Sequence, residues 1–415
     1  EPVYISIMVL SILIDYTHGL LVEKYRSRNK LARWFVAESV LLNLGLLGFF
    51  KYWDFFAANL SLIPGISIPA LGLPLPIGIS FFTFQTMSYT IDVYRQDAPA
   101  QRNMVSFGAY VTMFPQLVAG PIVRGADSPD EHGIGVRRRG TAVHRGPCEK
   151  SAAGQQHRCT VGRGAGGAVC RDADGRRRLA GHRGLRLSDL LRLLRLFRHG
   201  HRHGADAGFH FPENFNYPYT AASVTEFWRR WHISLTTWFR EYLYIPLGGS
   251  RKGTWRTVRN IFLVWFCTGF WHGASRNFIL WGLHFFVWLM LEKYLLRDFL
   301  QKLPSWLRHF YTLVVVFVGW GVFAMEDLAG CAGYFKTCFG SGTLWSAADG
   351  YYLTAYGLTL LLLTVGSTRL PRKVWNRLPE RARDLLGPLL MAAGLVICTA
   401  YLVDGSYNPF LYFRF

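Results

Sequence analysis

Long apolar runs, separated by short polar or basic stretches, dominate the chain. Seven of these runs have the length and apolarity that membrane-spanning helices need. They cover residues 3–21, 34–50, 76–94, 277–294, 310–325, 352–367 and 387–403. The pattern therefore predicts a protein that crosses a lipid bilayer several times.

Two further apolar runs are less regular. Pro115 and Pro121 interrupt the run 104–123, and the run 259–273 is shorter than the roughly 20 residues that a straight span requires. Such pieces are tolerated at membrane depth only where protein or a cavity surrounds them. We therefore expect an all-α, polytopic transmembrane helical bundle with re-entrant segments around a central channel.

Composition and charge add an orientation to this bundle. The chain is 51% hydrophobic and carries a net charge of +20. Basic residues gather after positions 21, 94, 294 and 367 and before position 259, and the positive-inside rule assigns these stretches to the cytoplasm. The loops 51–75 and 326–351 are nearly free of positive charge and are expected outside. This orientation places His272 near the outer end of its segment and His232 on the cytoplasmic side.

Two histidines lie in aromatic and basic sequence that ordinary packing does not need. His232 follows the aromatic-basic stretch 228–231, and His272 stands in Trp271-His272-Gly273 within an apolar run. An intramembrane imidazole is costly and is therefore a functional candidate, and its chemistry suits a general base at neutral pH. The competing interpretation is structural, with His272 bonding a neighbouring helix and His232 lying in an interfacial amphipathic helix.

Several blocks of sequence resemble a known family. They are residues 76–85, 115–121, 212–219, 228–249, 270–274 and 407–415. In this order they resemble the membrane-bound O-acyltransferases, and within that family they are most similar to the alginate O-acetyltransferase branch. The resemblance covers 1–124 and 208–415. Because the family has sequence ahead of Glu1, it also implies that an N-terminal helix or two precedes this start.

The resemblance implies a reaction and roles for particular residues. It makes His272 the catalytic residue, and His232 either a second catalytic group or a histidine on the donor side. It implies no bound cofactor and no metal, with acetyl-CoA expected as the cytoplasmic acyl donor. The expected substrate-binding residues are Asn214, Tyr219, Arg229, Arg230, Arg240 and Trp271. Guanidinium groups bind phosphate in bidentate fashion, so the arginines are expected to meet donor phosphates, although positive-inside anchoring also explains them.

The implied function is the O-acetylation of an exopolysaccharide such as alginate from the bacterial inner membrane. The expected partners are the lipid bilayer, the donor, and either the polysaccharide or a periplasmic acetyltransferase partner protein, with no nucleic acid. Three alternatives remain open at this point. They are D-alanyl or acetyl transfer to another cell-envelope glycan, a non-catalytic acyl-translocation pore, and an inactive frameshifted product.

Residues 125–207 differ from the sequence on both sides. The stretch 125–206 has no Trp and no Tyr, and it has 16 Arg against one Lys. This composition is typical of GC-rich DNA translated in the wrong frame. Chosen codons for residues 190–206, shifted by one base, give Asp-Phe-Ser-Gly-Tyr-Ser-Asp, which is similar to a motif of the same family.

Two other interpretations compete for this segment. One is a basic arm that binds nucleic acid or anionic lipid, and the other is a metal site at His199, His201 and His203, which lacks flanking ligands. We interpret 125–207 as a frameshifted, disordered segment that leaves the chain as written inactive. It separates an N-terminal transmembrane part, 1–124, from a catalytic transmembrane part, 208–415.

Overall fold

Every regular element in the described part of the chain is helical. The computed structural model describes residues 2–76, 78–113, 121–125, 213–325, 328–341 and 347–403. The α-helices in these ranges are α1 (Pro2–Lys24), α2 (Asn29–Leu60), α3 (Ile79–Arg95), α4 (Met104–Thr112), α5 (Val224–Arg230), α6 (Ile233–Phe239), α7 (Thr254–His272), α8 (Arg276–Leu291), α9 (Arg297–Lys302), α10 (Ser305–Ala324), α11 (Leu328–Lys336), α12 (Ala347–Gly366), α13 (Leu370–Arg377) and α14 (Glu380–Val403). The predicted all-α class is therefore confirmed.

Four helical stretches are long and apolar enough to cross a membrane. They are Tyr4–Lys24, Asn29–Leu60, Arg276–Lys302 and Ser305–Ala324. They coincide with four of the seven predicted spans, and the other three fall on α3, α12 and α14. The protein is thus a multi-pass membrane protein, as the apolar runs predicted.

The two irregular runs have different outcomes. The run 259–273 forms the second part of α7, which ends at His272. The run 104–123 begins as α4, which starts where the Asn103 side chain accepts the backbone N–H groups of Val105 and Ser106 at 2.9 and 3.2 Å. Residues 114–120 and 126–212 lie outside the described residues, so the interpretation of 125–207 stays a prediction.

Helices α1, α2 and α3 pack around a buried polar cluster, which we call the Asp15 cluster: Ser11, Asp15, Ser39, Asn43 and Thr90. Asp15 accepts hydrogen bonds from the Ser39 hydroxyl at 2.5 Å, the Thr90 hydroxyl at 2.9 Å and the Asn43 amide at 2.7 Å. Ser11 donates to the Asn43 carbonyl oxygen at 2.7 Å. All five side chains are fully buried. The cluster therefore ties three helices together by bonds that apolar packing cannot provide.

Helices α7 and α8 form a tightly packed hairpin that carries His272. A Cβ on Gly269 would overlap the carbonyl of Phe278, and a Cβ on Gly282 would overlap the carbonyl of Trp265. Glycine at both positions lets the two backbones approach closely, which is a common device between membrane helices. The hairpin buries Trp281 almost completely beside the end of α7.

Aromatic contacts join this C-terminal group of helices to α3. The Trp238 ring on α6 stacks on Phe84 with the ring centroids 3.9 Å apart, and its Nε1 donates to the Phe84 carbonyl at 3.0 Å. Tyr242, in the turn after α6, donates its hydroxyl to Asp92 at 2.6 Å. These bonds fix α6, and the loop that precedes it, against the N-terminal helices.

Candidate active site

His272 is the last residue of α7 and lies inside an aromatic enclosure. Its ring centroid is 4.9 Å from that of Trp271, 5.0 Å from Trp281 and 5.2 Å from Phe323. All three contacts are edge-on, with interplanar angles of 74–85°. At the next position a Cβ would overlap the Phe278 ring, so Gly273 is the residue that lets the chain leave α7 here. The imidazole is therefore held among rings that exclude most water.

His232 lies between α5 and α6 in an unusual backbone conformation. Its φ of 45° and ψ of 54° are left-handed, which costs a non-glycine residue roughly 1–2 kcal/mol. Asn214 supports this conformation, because its carbonyl accepts from Ile233 N–H at 2.9 Å and its side-chain oxygen accepts from Ser234 N–H at 3.0 Å. Strain held by surrounding bonds is frequent at functional sites.

The His232 imidazole also has an unused polar atom. Nδ1 is buried and has no hydrogen-bond partner among the described residues. His232 lies outside the four candidate spans, and burial lowers its pKa to about 4, so the ring is neutral at pH 7. A buried atom without a partner is available to a ligand.

The two histidines share one indole. The Trp271 ring lies 4.9 Å from His272 and 6.3 Å from His232, centroid to centroid. The two histidines therefore lie much closer together than predicted, whereas the predicted sides, cytoplasmic for His232 and outer for His272, stay a prediction. The loop 213–217 folds back on 230–234, since Asn216 N–H also bonds the Arg230 carbonyl at 2.9 Å, and this fold carries His232 to the end of α7.

A cavity of about 710 Å³ opens beside α5 and the middle of α7. Its wall combines positive charge with apolar surface. The cationic lining residues are Arg229, Arg240, Lys293, Arg297 and Arg308, and the apolar ones include Trp228, Ile261, Val264, Trp265, Leu289 and Met290. Cations at an opening suit phosphate groups, and the apolar part suits an uncharged chain.

Glu292 also lines this cavity, but its carboxylate already accepts hydrogen bonds from the start of α5. Its carboxylate accepts the backbone N–H groups of Val224 at 2.6 Å and Thr225 at 2.9 Å, and the Thr225 hydroxyl at 2.6 Å. These bonds cap the start of α5. The carboxylate therefore stabilises the helix that carries Trp228 and Arg229.

Two tryptophans connect the cavity with His272. Trp228 lines the cavity, Trp281 lies 5.6 Å from Trp228, and His272 lies 5.0 Å from Trp281, all measured between ring centroids. Both indole N–H groups are buried without a hydrogen-bond partner among the residues that the structure describes. They are donors available to an oxygen that enters this region.

The predicted substrate-binding residues have several different environments. Arg229 and Arg240 are exposed at the cavity, and Arg240 lies 3.7 Å from the Glu241 carboxylate. Their role at donor phosphates stays a prediction. Arg230 is instead paired with Glu226 and donates to the Thr220 hydroxyl at 2.8 Å. Tyr219 packs against Phe227 and Trp231, away from the cavity lining. Asn214 uses its side-chain oxygen to cap α6.

Sequence reasoning did not assign Lys293, Arg297 and Arg308 to a site. They follow spans and were interpreted only as positive-inside anchors, yet they line the same cavity as Arg229 and Arg240. Their clustering depends on how α8, α9 and α10 fold back onto α5, which spacing along the chain does not reveal. The triplet His199, His201 and His203 lies outside the described residues.

Comparisons with known proteins identify the family of this chain. The family model of the membrane-bound O-acyltransferases matches residues 192–332, which include both histidines of the site. The probable alginate O-acetylase AlgI of Pseudomonas putida is 34% identical, over 97% of this chain and 89% of the relative. That of Azotobacter vinelandii is 36% identical, over 87% and 74%. The peptidoglycan O-acetyltransferase of Helicobacter pylori is 30% identical, over 78% and 68%. The chain belongs to the membrane-bound O-acyltransferase family.

Proposed function

We propose that this protein transfers acetyl groups from cytoplasmic acetyl-CoA for the O-acetylation of an exopolysaccharide such as alginate. The observation that carries the proposal is the placement of His272. Trp281 contacts both this imidazole and Trp228 in the wall of the cationic cavity. His272 would thus lie behind two packed indole rings, those of Trp228 and Trp281, as seen from a donor in the cavity.

The cavity matches the chemistry of an acyl-CoA. Phosphate groups of the donor would lie at Arg229, Arg240 and Arg297, while its uncharged arm and thioester would follow the apolar wall. The basic rim is expected on the cytoplasmic side by the positive-inside rule. This supports a bacterial inner-membrane location, with the donor on one side and the acceptor reaching His272 from the other.

His272 would act as general base. Its imidazole takes the proton of an acceptor hydroxyl while the hydroxyl oxygen attacks the thioester carbonyl carbon. The C–S bond then breaks and the leaving thiolate recovers the proton, so one ester forms for each thioester consumed. The indole N–H groups of Trp228 and Trp281, which have no partner among the described residues, are available as donors to the developing oxyanion. The aromatic enclosure limits water, which would compete as acceptor.

The acceptor is proposed from the relatives. The two relatives named for alginate above match more of the chain, at higher identity, than the one named for peptidoglycan. This favours a uronate polymer, reached directly or through a periplasmic acetyltransferase partner protein that completes the transfer. Acetylation of peptidoglycan is the alternative that the same assay can detect.

The test is acetyl transfer in reconstituted vesicles. The 415-residue chain and a version with the reading frame of 125–207 restored receive labelled acetyl-CoA, and label is measured on alginate and on peptidoglycan fragments. We expect His272→Ala to abolish transfer. The matched control is His284→Gln, because the His284 ring bonds the Val315 carbonyl at 3.0 Å and joins α8 to α10. Transfer that persists in His272→Ala, or that neither chain performs, would contradict the proposal.

A further inference from the structure

A lysine of α2 lies inside the bundle next to the histidines. Lys51 is half-buried within the candidate span Asn29–Leu60, and its Nζ donates to the Trp271 carbonyl at 2.6 Å and to the Ser80 hydroxyl at 3.2 Å. The Nζ atom also lies 5.7 Å from the centroid of the Trp271 ring. A cation in a membrane span is costly unless it is paired. Lys51 therefore has a specific partner here, and that partner belongs to the site.

The carbonyl that Lys51 binds belongs to the peptide bond between Trp271 and His272. A peptide unit is planar, so fixing its oxygen also fixes the plane that carries the His272 N–H and Cα. The same carbonyl is in the last turn of α7, where it has no partner within the helix and where the helix dipole is negative. A cationic donor is the group best suited to hold it.

Ser80 also binds Trp271, whereas Tyr52 binds the preceding residue. Its indole N–H donates to the Ser80 carbonyl at 3.4 Å, so Lys51 and Ser80 bind both ends of the residue that contacts the two histidines. Tyr52 donates to the Phe270 carbonyl at 2.7 Å and stacks on the Phe270 ring, one peptide earlier. Lys51 thus acts on the peptide of His272, whereas Tyr52 acts on the preceding one.

We propose that Lys51 is a positioning residue for His272. It fixes the peptide that carries the imidazole and the indole that lies against both His272 and His232. Among the described residues Lys51 hydrogen-bonds Ser80 and Trp271, so these bonds act on the reaction through Trp271 and the His272 peptide. The kinetic part of this inference rests on the proposed function; the chemical reactivity of His272 does not.

The experiment compares Lys51→Met, which keeps length but removes the donor, with Lys51→Arg, which keeps a cationic donor. Tyr52→Phe is the matched control, since it removes a similar bond to the neighbouring carbonyl. Carbethoxylation of the full chain by diethyl pyrocarbonate is followed by peptide mass spectrometry, with His309 on α10 as internal reference. The kcat and the KM for acetyl-CoA are measured in parallel.

We expect Lys51→Met to lower kcat by about tenfold or more without changing KM, because small misplacements of a catalytic group are costly. The carbethoxylation rate of His272 should rise several-fold while that of His309 stays constant. Lys51→Arg should recover most of both properties, and Tyr52→Phe should resemble the wild type. If Lys51→Met does not accumulate, Lys51→Gln is measured in the same way.

An unchanged kcat together with unchanged His272 reactivity in the Lys51 variants would overturn the inference. Equal effects of Tyr52→Phe and Lys51→Met would also overturn it, because the role would then be general helix packing. A wild type that transfers no acetyl group would contradict the proposed function alone. The reactivity of His272 would still decide the role of Lys51.

Discussion

The Asp15 cluster and the histidine site (His232, His272, Trp271 and Trp281) are both polar regions inside a helical bundle, yet they satisfy their polar atoms very differently. In the Asp15 cluster both carboxyl oxygens, the Asn43 amide and the neighbouring hydroxyls are all hydrogen-bonded. In the histidine site, His232 Nδ1 and Trp281 Nε1 are buried with no partner within the described ranges. A satisfied cluster stabilises one packing of helices, whereas an unsatisfied buried atom is available to a ligand.

The largest effect on stability is expected from Asp15→Leu. It leaves the hydroxyl groups of Ser39 and Thr90 buried without this acceptor, while Asn43 keeps only its bond to the Ser39 carbonyl. The loss should cost about 3–5 kcal/mol of unfolding free energy. Catalytic activity per folded molecule should not change, because the cluster is separate from the site. Thermal unfolding in detergent measures the loss.

Thr17→Ala is the control for that substitution. Thr17 is exposed on the same helix, and among the described residues its hydroxyl bonds the Leu13 and Ile14 carbonyls of its own helix. Its replacement should change stability by less than about 0.5 kcal/mol. If Asp15→Leu is equally mild, the cluster does not stabilise the bundle and the contrast between the two regions fails.

A smaller effect, on substrate binding, is expected from removing two cations of the cavity. The double variant Arg229→Ala/Arg240→Ala should raise the KM for acetyl-CoA about tenfold, or 1.4 kcal/mol, because phosphate groups lose bidentate partners. The kcat should remain close to that of the wild type, since neither arginine contacts His272. Initial rates over a range of donor concentrations give both constants.

The double variant Arg251→Ala/Arg256→Ala is the control for the loss of two positive charges outside the cavity. Both residues are exposed and basic, and neither lines the cavity. This variant should leave the KM unchanged. A similar rise of KM in the two double variants would show that overall positive charge attracts the donor, and that the cavity does not bind it.

A third effect concerns the pH dependence of stability. Burial lowers the pKa of His232 to about 4, whereas an unfolded chain has an ordinary histidine pKa near 6.5. Between pH 6.5 and 4, His232 is protonated in the unfolded state and neutral in the folded state. The wild type therefore loses stability as the pH falls from 6.5 to 4. His232→Gln should lose less stability in this window and the same amount above it. The measurement is the unfolding temperature of both proteins between pH 4 and 8. If the wild type and His232→Gln show the same pH dependence, His232 is not buried as described.

The sequence predicted the membrane-spanning helices well because apolar runs are local. It also singled out His232 and His272, since an imidazole among aromatic residues stands out in such runs. It misjudged their separation, because the back-folding of 213–217 onto 230–234 depends on bonds from Asn214 and Asn216 that no local pattern reveals.

The contact of Lys51 with Trp271 and the Asp15 cluster could not be predicted from local sequence patterns. Lys51 stands just after the predicted span 34–50, so its position in an apolar stretch was the available signal; its bond to the Trp271 carbonyl joins residues 220 positions apart. The Asp15 cluster likewise needs the packing of three helices. Polar residues in an apolar run can be marked from sequence, but whether they are structural or catalytic depends on their partners.

The most direct test of the contrast measures activity and stability together in His272→Ala and Asp15→Leu. His272→Ala should lose roughly 10²–10⁴-fold in acetyl transfer while its unfolding temperature stays close to that of the wild type. Asp15→Leu should show the reverse, a lower unfolding temperature with normal transfer per folded molecule. If His272→Ala is destabilised as strongly as Asp15→Leu and its remaining folded fraction transfers acetyl groups normally, His272 is a structural histidine and the account is wrong.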